Sequence, residues 1–188
     1  RTMNFIHAKT LIMKHGSTIN RFNTIRFLHS CLLREDSIVH VKNRIIGLRP
    51  GDRFADLCVF ELGRKSLLTV RHYVDLAEAV TIGDNVVFGG FGSQLWTHGF
   101  DLERNRIQSP IAIHSNIYIG SSVIITQGVE MVSNTTVGAG TVVSRSISES
   151  GFYVSNQLIK KSVFCADRDI SNAADDTTPQ IFRKPLKK

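Results

Sequence analysis

The sequence predicts an all-β chain: a parallel β-helix, with a helical segment before it and an irregular tail after it. Two observations lead there. Between residues 111 and 147, Ile113, Ile119, Ile125, Met131, Val137 and Val143 recur at every sixth position. Four places after each of them stand Ile117, Val123, Val129, Thr135, Thr141 and Ile147, all β-branched. A helix needs apolar residues every three or four positions and a half-buried strand every second one. A sustained period of six fits short strands folded round the three sides of a prism, which makes the chain a solenoid. The second observation is composition. The chain has 188 residues, 42% hydrophobic and 21% charged, which is ordinary for a soluble globular protein and long enough to bury one core. No apolar run approaches the ~20 residues that cross a bilayer. Nothing at the start, which opens at Arg1, reads as a signal peptide.

In chain order, residues 1–36 do not repeat in sixes. Ile19, Phe22, Ile25, Leu28 and Leu32 recur at three to four positions, and Ser17 is placed to cap, so a basic amphipathic helix is expected. It would cover the open end of the solenoid or rest on an anionic membrane surface. Residues 37–165 form the expected β-helix domain. Ser37–Val41 and Arg44–Ile46 read as strands, and Pro50-Gly51-Asp52 as a turn. Leu62 and Leu68 set one hexad register and Leu76, Ile82 and Phe88 another, which implies a two-residue slip near Tyr73–Asp75. A polar, off-period insertion at 95–110 precedes the main register. Loops carried on a rigid scaffold are where function concentrates. A last strand is expected at Phe152–Val154, and residues 166–188 lose periodicity and form the tail.

The net charge of +7 is unevenly spread. Residues 1–50 hold nine Lys/Arg against Glu35 and Asp36, and the last eight residues hold four more bases. Basic ends point to an anionic partner. No nucleic-acid-binding motif accompanies them, so a nucleic-acid partner is not expected. Cys31, Cys58 and Cys165 are odd in number and far apart, which suits reduced thiols and argues against both a disulfide framework and a zinc site. The expected location is the cytoplasm, or the inner face of its membrane.

His98 is the first candidate for chemistry, because it stands at the root of the insertion beside Thr97 and Gly99. Its imidazole titrates near neutrality and suits a general base. A base needs its second ring nitrogen held, and Asp75, at the register slip about one coil earlier, is the carboxylate expected to hold it. An equal reading has Asp75 capping a turn. On the loop, Asp101, Arg104 and Arg106 could hydrogen-bond a sugar and Trp96 or Phe100 could stack on it, with His72 nearby. Arg104 and Arg106 could equally pair with Asp101 and Glu103.

The run Gln94-Leu95-Trp96-Thr97-His98-Gly99-Phe100-Asp101, then Pro110-Ile111, Ile117-Tyr118-Ile119-Gly120-Ser121, Gln127-Gly128-Val129 and Val137-Gly138-Ala139-Gly140 resembles the hexapeptide-repeat acyltransferases. It looks like the sugar and polysaccharide O-acetyltransferases of the galactoside and maltose acetyltransferase type. The resemblance covers residues 62–161. It implies a left-handed coil, a homotrimer with active sites between subunits, and acetyl-CoA as co-substrate with no metal. The acceptor would be a carbohydrate, as a free, nucleotide-linked or lipid-linked sugar in polysaccharide or lipopolysaccharide synthesis. It further implies that Tyr118, Gly120, Ser121, Gly138, Ala139 and Ser144 line the donor groove, and that Lys160 and Lys161 meet its phosphates. The chain departs from the pattern at Ser155-Asn156-Gln157, where the family often carries Gly-Asn-Pro, and at His114 and Val132, where glycines are usual. Other readings are an N-acetyltransferase on an amino sugar and a non-enzymatic trimeric scaffold. A zinc site of three histidines would need a second His near His98, and His72 and His114 do not stand at the required places.

Overall fold

A computed structural model describes residues 3–155. The predicted Lys160, Lys161 and 166–188 tail lie outside the described residues. Apart from one hairpin, every strand pairing is parallel, and the pairings sort into three ladders. The first runs from the N-terminal halves of Phe5–Met13 and Thr24–Leu33 through Arg44–Gly47, Tyr73–Leu76, Gln94–Leu95 and Ile124–Ile125 to Val142–Val143. The second takes the C-terminal halves of the same two long strands, then Val59–Leu62, Val80–Ile82, Ile111–Ile113 and Glu130–Met131, and ends in a bridge to Ile147. The third stacks Thr18–Ile19, Ile38–Val41, Leu67–Val70, Val86–Phe91, Ile117–Ile119, Thr136–Val137 and Phe152–Tyr153. The chain visits the ladders in turn, once per coil. This is the three-sided solenoid that the six-residue period implies.

The hexad aliphatics form the core. Ile25, Ile45, Val74, Leu95 and Ile125 are register partners up the first ladder, all at 0% exposure. Leu62, Ile82, Ile113 and Met131 do the same on the second ladder, and Val39, Leu68, Phe88, Ile119 and Val137 on the third. Two of the three corners are made by a left-handed residue. Gly16, Asp36, Lys65, Asn85, Asn116 and Asn134 have positive φ between the second and third ladders, all but Gly16 standing three residues past a buried side chain. Phe22, Lys42, Arg71, Gly92, Ser122 and Gly140 occupy the corner between the third and first. The asparagines also bond coil to coil, Asn85 Nδ2 donating to Asn116 Oδ1 at 3.0 Å and Asn116 Nδ2 to Asn134 Oδ1 at 3.3 Å. Asn tolerates this backbone region better than most side chains. Asn116→Ala is therefore expected to cost about 1–2 kcal/mol of stability, and Asn116→Gly less, as read by urea titration.

The expected helix over the first 36 residues is not formed. That segment is the first two coils, in strands Phe5–Met13, Thr18–Ile19 and Thr24–Leu33. The three-to-four spacing arises because two strand segments meet at a bend. Ile25 points inward on the first ladder, Phe27 turns the corner with φ 62°, and Leu28, Cys31 and Leu33 point inward on the second. Phe22, counted on the helical stripe, instead makes a corner and is 47% exposed. The β-helix thus begins well before residue 37.

The remaining corner, between the first and second ladders, is irregular. In the third coil, 48–58 leave the wall and include the short 3-10 turn Ala55–Leu57. In the fourth, the two extra residues fall between Val74 and Val80, just after the predicted slip. In the fifth, the chain departs after Thr97 as an antiparallel hairpin, His98–Phe100 against Arg106–Gln108. Leu95, placed at the start of the insertion, is a wall residue at 0% exposure.

Candidate functional site

The irregular corner brings His98 and Asp75 together. Asp75 is on the outer side of the first ladder, yet only 7% exposed, because its corner lies between the two excursions. Its Oδ2 accepts the Thr97 N–H at 3.2 Å and is 3.0 Å from the Thr97 hydroxyl. The same oxygen stands 2.7 Å from His98 Nδ1. These bonds fix the carboxylate, and the carboxylate holds the imidazole in the tautomer with a proton on Nδ1. His98 Nε2 then has a free lone pair, with no partner among the described residues. The ring is 23% exposed and packs edge-on to Phe100 at 5.8 Å.

Thr97, the residue that locks this pair, was not singled out by sequence reasoning. At 0% exposure it also accepts the Glu78 N–H through Oγ1 at 3.1 Å, tying the hairpin root to the tight corner of the coil before. Glu78 in turn accepts from Gln108 Nε2 at 3.4 Å. No sequence motif marks Glu78 or Gln108, because their meeting depends on how the hairpin folds back.

The loop residues have mostly structural work. Asp101 closes the hairpin turn, accepting the Asn105 amide side chain at 3.0 Å and its backbone N–H at 2.7 Å. The Asn105 side chain, with that N–H, holds the Asp101 carboxyl below its ordinary range. Arg104 makes the turn with φ 64° and is exposed. Arg106 pairs with neither Asp101 nor Glu103. It reaches across to Asp52 on the 48–58 excursion, at 3.1 and 3.3 Å, and lies over the Phe54 ring at 5.0 Å. Its hydrogen bond is the main cause that lowers the Asp52 carboxyl. The two excursions are thereby clasped above Asp75. Arg106→Ala should leave the fold intact and speed hydrogen exchange of the Phe100–Gln108 amides several-fold, with the wall amides unchanged.

His72 was expected near the substrate, but the structure corrects this. It is 1% exposed, inside a polar ladder at the corner of the third and first ladders. Asn23 N–H donates to Asn4 Oδ1, Asn43 N–H to Asn23 Oδ1, His72 N–H to Asn43 Oδ1, Ser93 N–H to His72 Nδ1 and Val123 N–H to Ser93 Oγ. Each coil is bonded to the next by a side chain at the same place. Burial pushes the His72 pKa down to about 4, so the ring is neutral. Trp96 lies half-buried on the outside of the first ladder, 5.0 Å from the Tyr73 ring. Phe100 is 65% exposed at the hairpin.

The predicted donor residues sit on another edge. Tyr118 is 50% exposed on the third ladder and its ring covers Gly89. Gly120, Ser121, Gly138 and Ala139 follow at the corner of the third and first ladders. A Cβ at Gly120 would come within 2.7 Å of the Ala139 nitrogen, so glycine is needed there for coils to stack. Ser144 is exposed in the last coil, beyond Val142–Val143. Within one chain the full width of the first ladder separates this set from His98.

No family model matches the sequence. Galactoside O-acetyltransferase of Escherichia coli K12 is 36% identical over 73 residues, covering 36% of this chain. The chain thus spans only 36% of the length of that curated relative. A crystal structure of a hexapeptide-repeat-containing acetyltransferase from Vibrio cholerae O1 biovar eltor, complexed with acetyl coenzyme A, matches with a TM-score of 0.53. It does so at 21% identity, over 73% of this chain and 65% of that one. This chain shares the parallel β-helix fold of that protein. A polySia-specific acetyltransferase also aligns, with a TM-score of 0.49 and 17% identity over 90% of this chain and 84% of that one.

Proposed function

We propose that the chain is an acetyl-CoA-dependent O-acetyltransferase acting on a sugar hydroxyl, in the synthesis of a polysaccharide or lipopolysaccharide. The observation that carries this is the Asp75–His98 pair at 2.7 Å. A buried carboxylate, bonded through one oxygen to Thr97, orients an imidazole whose outer nitrogen is open. The E. coli relative, named as an O-acetyltransferase, supports the choice of reaction.

In this reading His98 Nε2 takes the proton of the acceptor hydroxyl as its oxygen attacks the thioester carbonyl carbon. The Asp75 carboxylate stabilises the imidazolium that forms. The C–S bond then breaks, and His98 returns the proton to the departing thiolate, leaving an acetyl ester and free thiol. No Lys or Arg adjoins His98 in sequence, so a backbone N–H must stabilise the oxyanion. For the donor, acetyl-CoA, the Tyr118–Ser121 and Gly138–Ala139 edge fits a thin chain. Beyond the Tyr118 ring its corner residues Gly120, Ser121, Gly138 and Ala139 are small and the backbone is reachable, with nothing within 4 Å of a Cβ at Gly140. Because that edge is remote from His98 on the same chain, the site is completed in a homotrimer, one subunit giving His98 and its neighbour the donor edge.

The test is thiol release from acetyl-CoA with a panel of neutral, acidic and amino sugars, with the product treated with hydroxylamine. Sugar-dependent release and a hydroxylamine-labile ester are expected. A stable amide product would shift the reading to N-acetylation, and no release with no coenzyme A binding would sink it.

A further inference from the structure

We infer that the acceptor is an acidic glycan, held by a row of cations at the corner of the third and first ladders, in the coils before those that carry the donor residues. This rests on the acetyltransferase reading above and adds to it the charge class of the acceptor. Arg21, Lys42 and Arg71 stand at one corner of the prism in three successive coils, Lys42 and Arg71 themselves turning it with φ 59° and 57°. Coils of a β-sheet wall are about 4.8 Å apart, so the row presents one positive charge per coil. All three are exposed, as are Arg26 and Arg44 on the adjoining first ladder. None of these five is within 4.0 Å of a carboxylate among the described residues, where Arg34, Arg64 and Arg106 all have one.

The row lies along two shallow, adjoining hollows. One, of about 380 Å³, is lined by Asn20, Arg21, His40 and Val41. The next, of about 480 Å³, is lined by Val41, Lys42, Val70, Arg71, Gly90 and Phe91. Val41 lines both, so the two hollows adjoin along the row. Phe91 is 57% exposed in the second, an apolar face beside the charges.

The row connects with the base across the outside of the first ladder. Arg44 lies over the Tyr73 ring at 5.8 Å, Tyr73 stacks on Trp96 at 5.0 Å, and Trp96 precedes His98 by two residues. Aromatic faces receive the C–H faces of sugar rings, and cations spaced by a coil receive repeating carboxylates or sugar phosphates. A membrane would meet the rim but could not follow that path to His98. An extended acidic oligosaccharide can. Like charges left unpaired in a row repel one another, which a neutral acceptor would do nothing to relieve.

The experiment is calorimetric titration of the full chain with a galacturonic acid oligomer, a neutral maltose oligomer of equal length and a sugar phosphate. It is repeated with the Arg21→Gln/Lys42→Gln/Arg71→Gln variant. Expected are binding of the acidic oligomer that weakens with added salt, and about tenfold weaker binding by the variant. In turnover, KM for the acidic acceptor should rise about as much in the variant, whereas a rise confined to KM for acetyl-CoA would give the row to the donor's phosphates and overturn the inference. Preference for the sugar phosphate over the oligomer would assign the charge to phosphate. Equal binding of acidic and neutral oligomers, or a variant that binds the acidic one as well as the parent, would overturn the inference. So would binding confined to phosphatidylglycerol vesicles or a single-stranded oligonucleotide. Titration needs no turnover, so a protein that binds the acid but releases no thiol refutes the acetyltransferase reading separately.

Discussion

His98→Ala is expected to lower kcat for acetyl transfer by about 10²- to 10⁴-fold, the range for loss of a positioned general base, with little change in KM for acetyl-CoA. The fold should survive, because His98 is at the root of a surface hairpin and contributes nothing to the stacked core. Asp75→Asn is the more informative companion. Thr97 N–H and His98 Nδ1–H both give to Asp75 Oδ2 in the parent. An amide whose oxygen takes the place of Oδ2 keeps both bonds and the tautomer, but it removes the negative charge that stabilises the imidazolium formed as the hydroxyl loses its proton. kcat should therefore fall, though by less than in His98→Ala, while binding persists. Full activity in Asp75→Asn, with unchanged circular dichroism, would show that the carboxylate only caps the hairpin root.

The solenoid was legible in the sequence wherever each side of the prism holds one hexad. From Ile111 to Ile147 the inward residues are those that the period picks out, and they are buried in that order. It failed where corners are not of standard length. In the second coil the strand Thr24–Leu33 turns a corner without ending, adding two residues between inward positions Ile25 and Leu33. That addition gave apolar spacings of three, which imitate a helix. A separate signal was present, since Thr18, Ile19, Thr24 and Ile25 are β-branched, a choice that favours strands. Charge suggested a surface helix, and the amphipathic reading prevailed over the β-propensity.

The site was legible in part. His98 and Asp75 could be paired because a register slip and an insertion, one coil apart, must fall on the same edge of the prism. Arg106 and Asp101 could not be placed, since their partners depend on excursions of irregular shape. Asp52, 54 residues before Arg106 in the chain, is such a partner. His72, expected at the substrate, is instead a rung of a buried column. Its neighbours in the column, Asn23 and Asn43, gave no warning, as the column appears only once corner lengths are known.

Between pH 6.5 and 4 the folded state is expected to lose up to about 3 kcal/mol of stability through His72. The sign follows from its neutral, buried state. In the unfolded chain the imidazole has its ordinary pKa of 6.5, while burial in the fold lowers it to about 4. As pH falls through this window the unfolded chain binds the proton and the folded one does not, so stability is full above 6.5, declines to about 4 and then levels. Geometry gives the same answer. His72 Nδ1 accepts from Ser93 N–H at 3.1 Å, and Nε2 is 2.9 Å from Thr69 Oγ1. A second proton would leave Ser93 without an acceptor inside the wall. Asp52, Asp84 and Asp101 are held low by their hydrogen bonds, so their stabilisation is lost only as pH falls below the ordinary carboxylate range. The control is His72→Asn, which puts at this rung the residue that Asn23 and Asn43 supply in the coils before it. Urea titrations at several pH values should show the slope between 6.5 and 4 in the parent and a markedly flatter line in the variant. Equal slopes would mean that His72 is not the group that titrates, and that the ladder tolerates a charge at its centre.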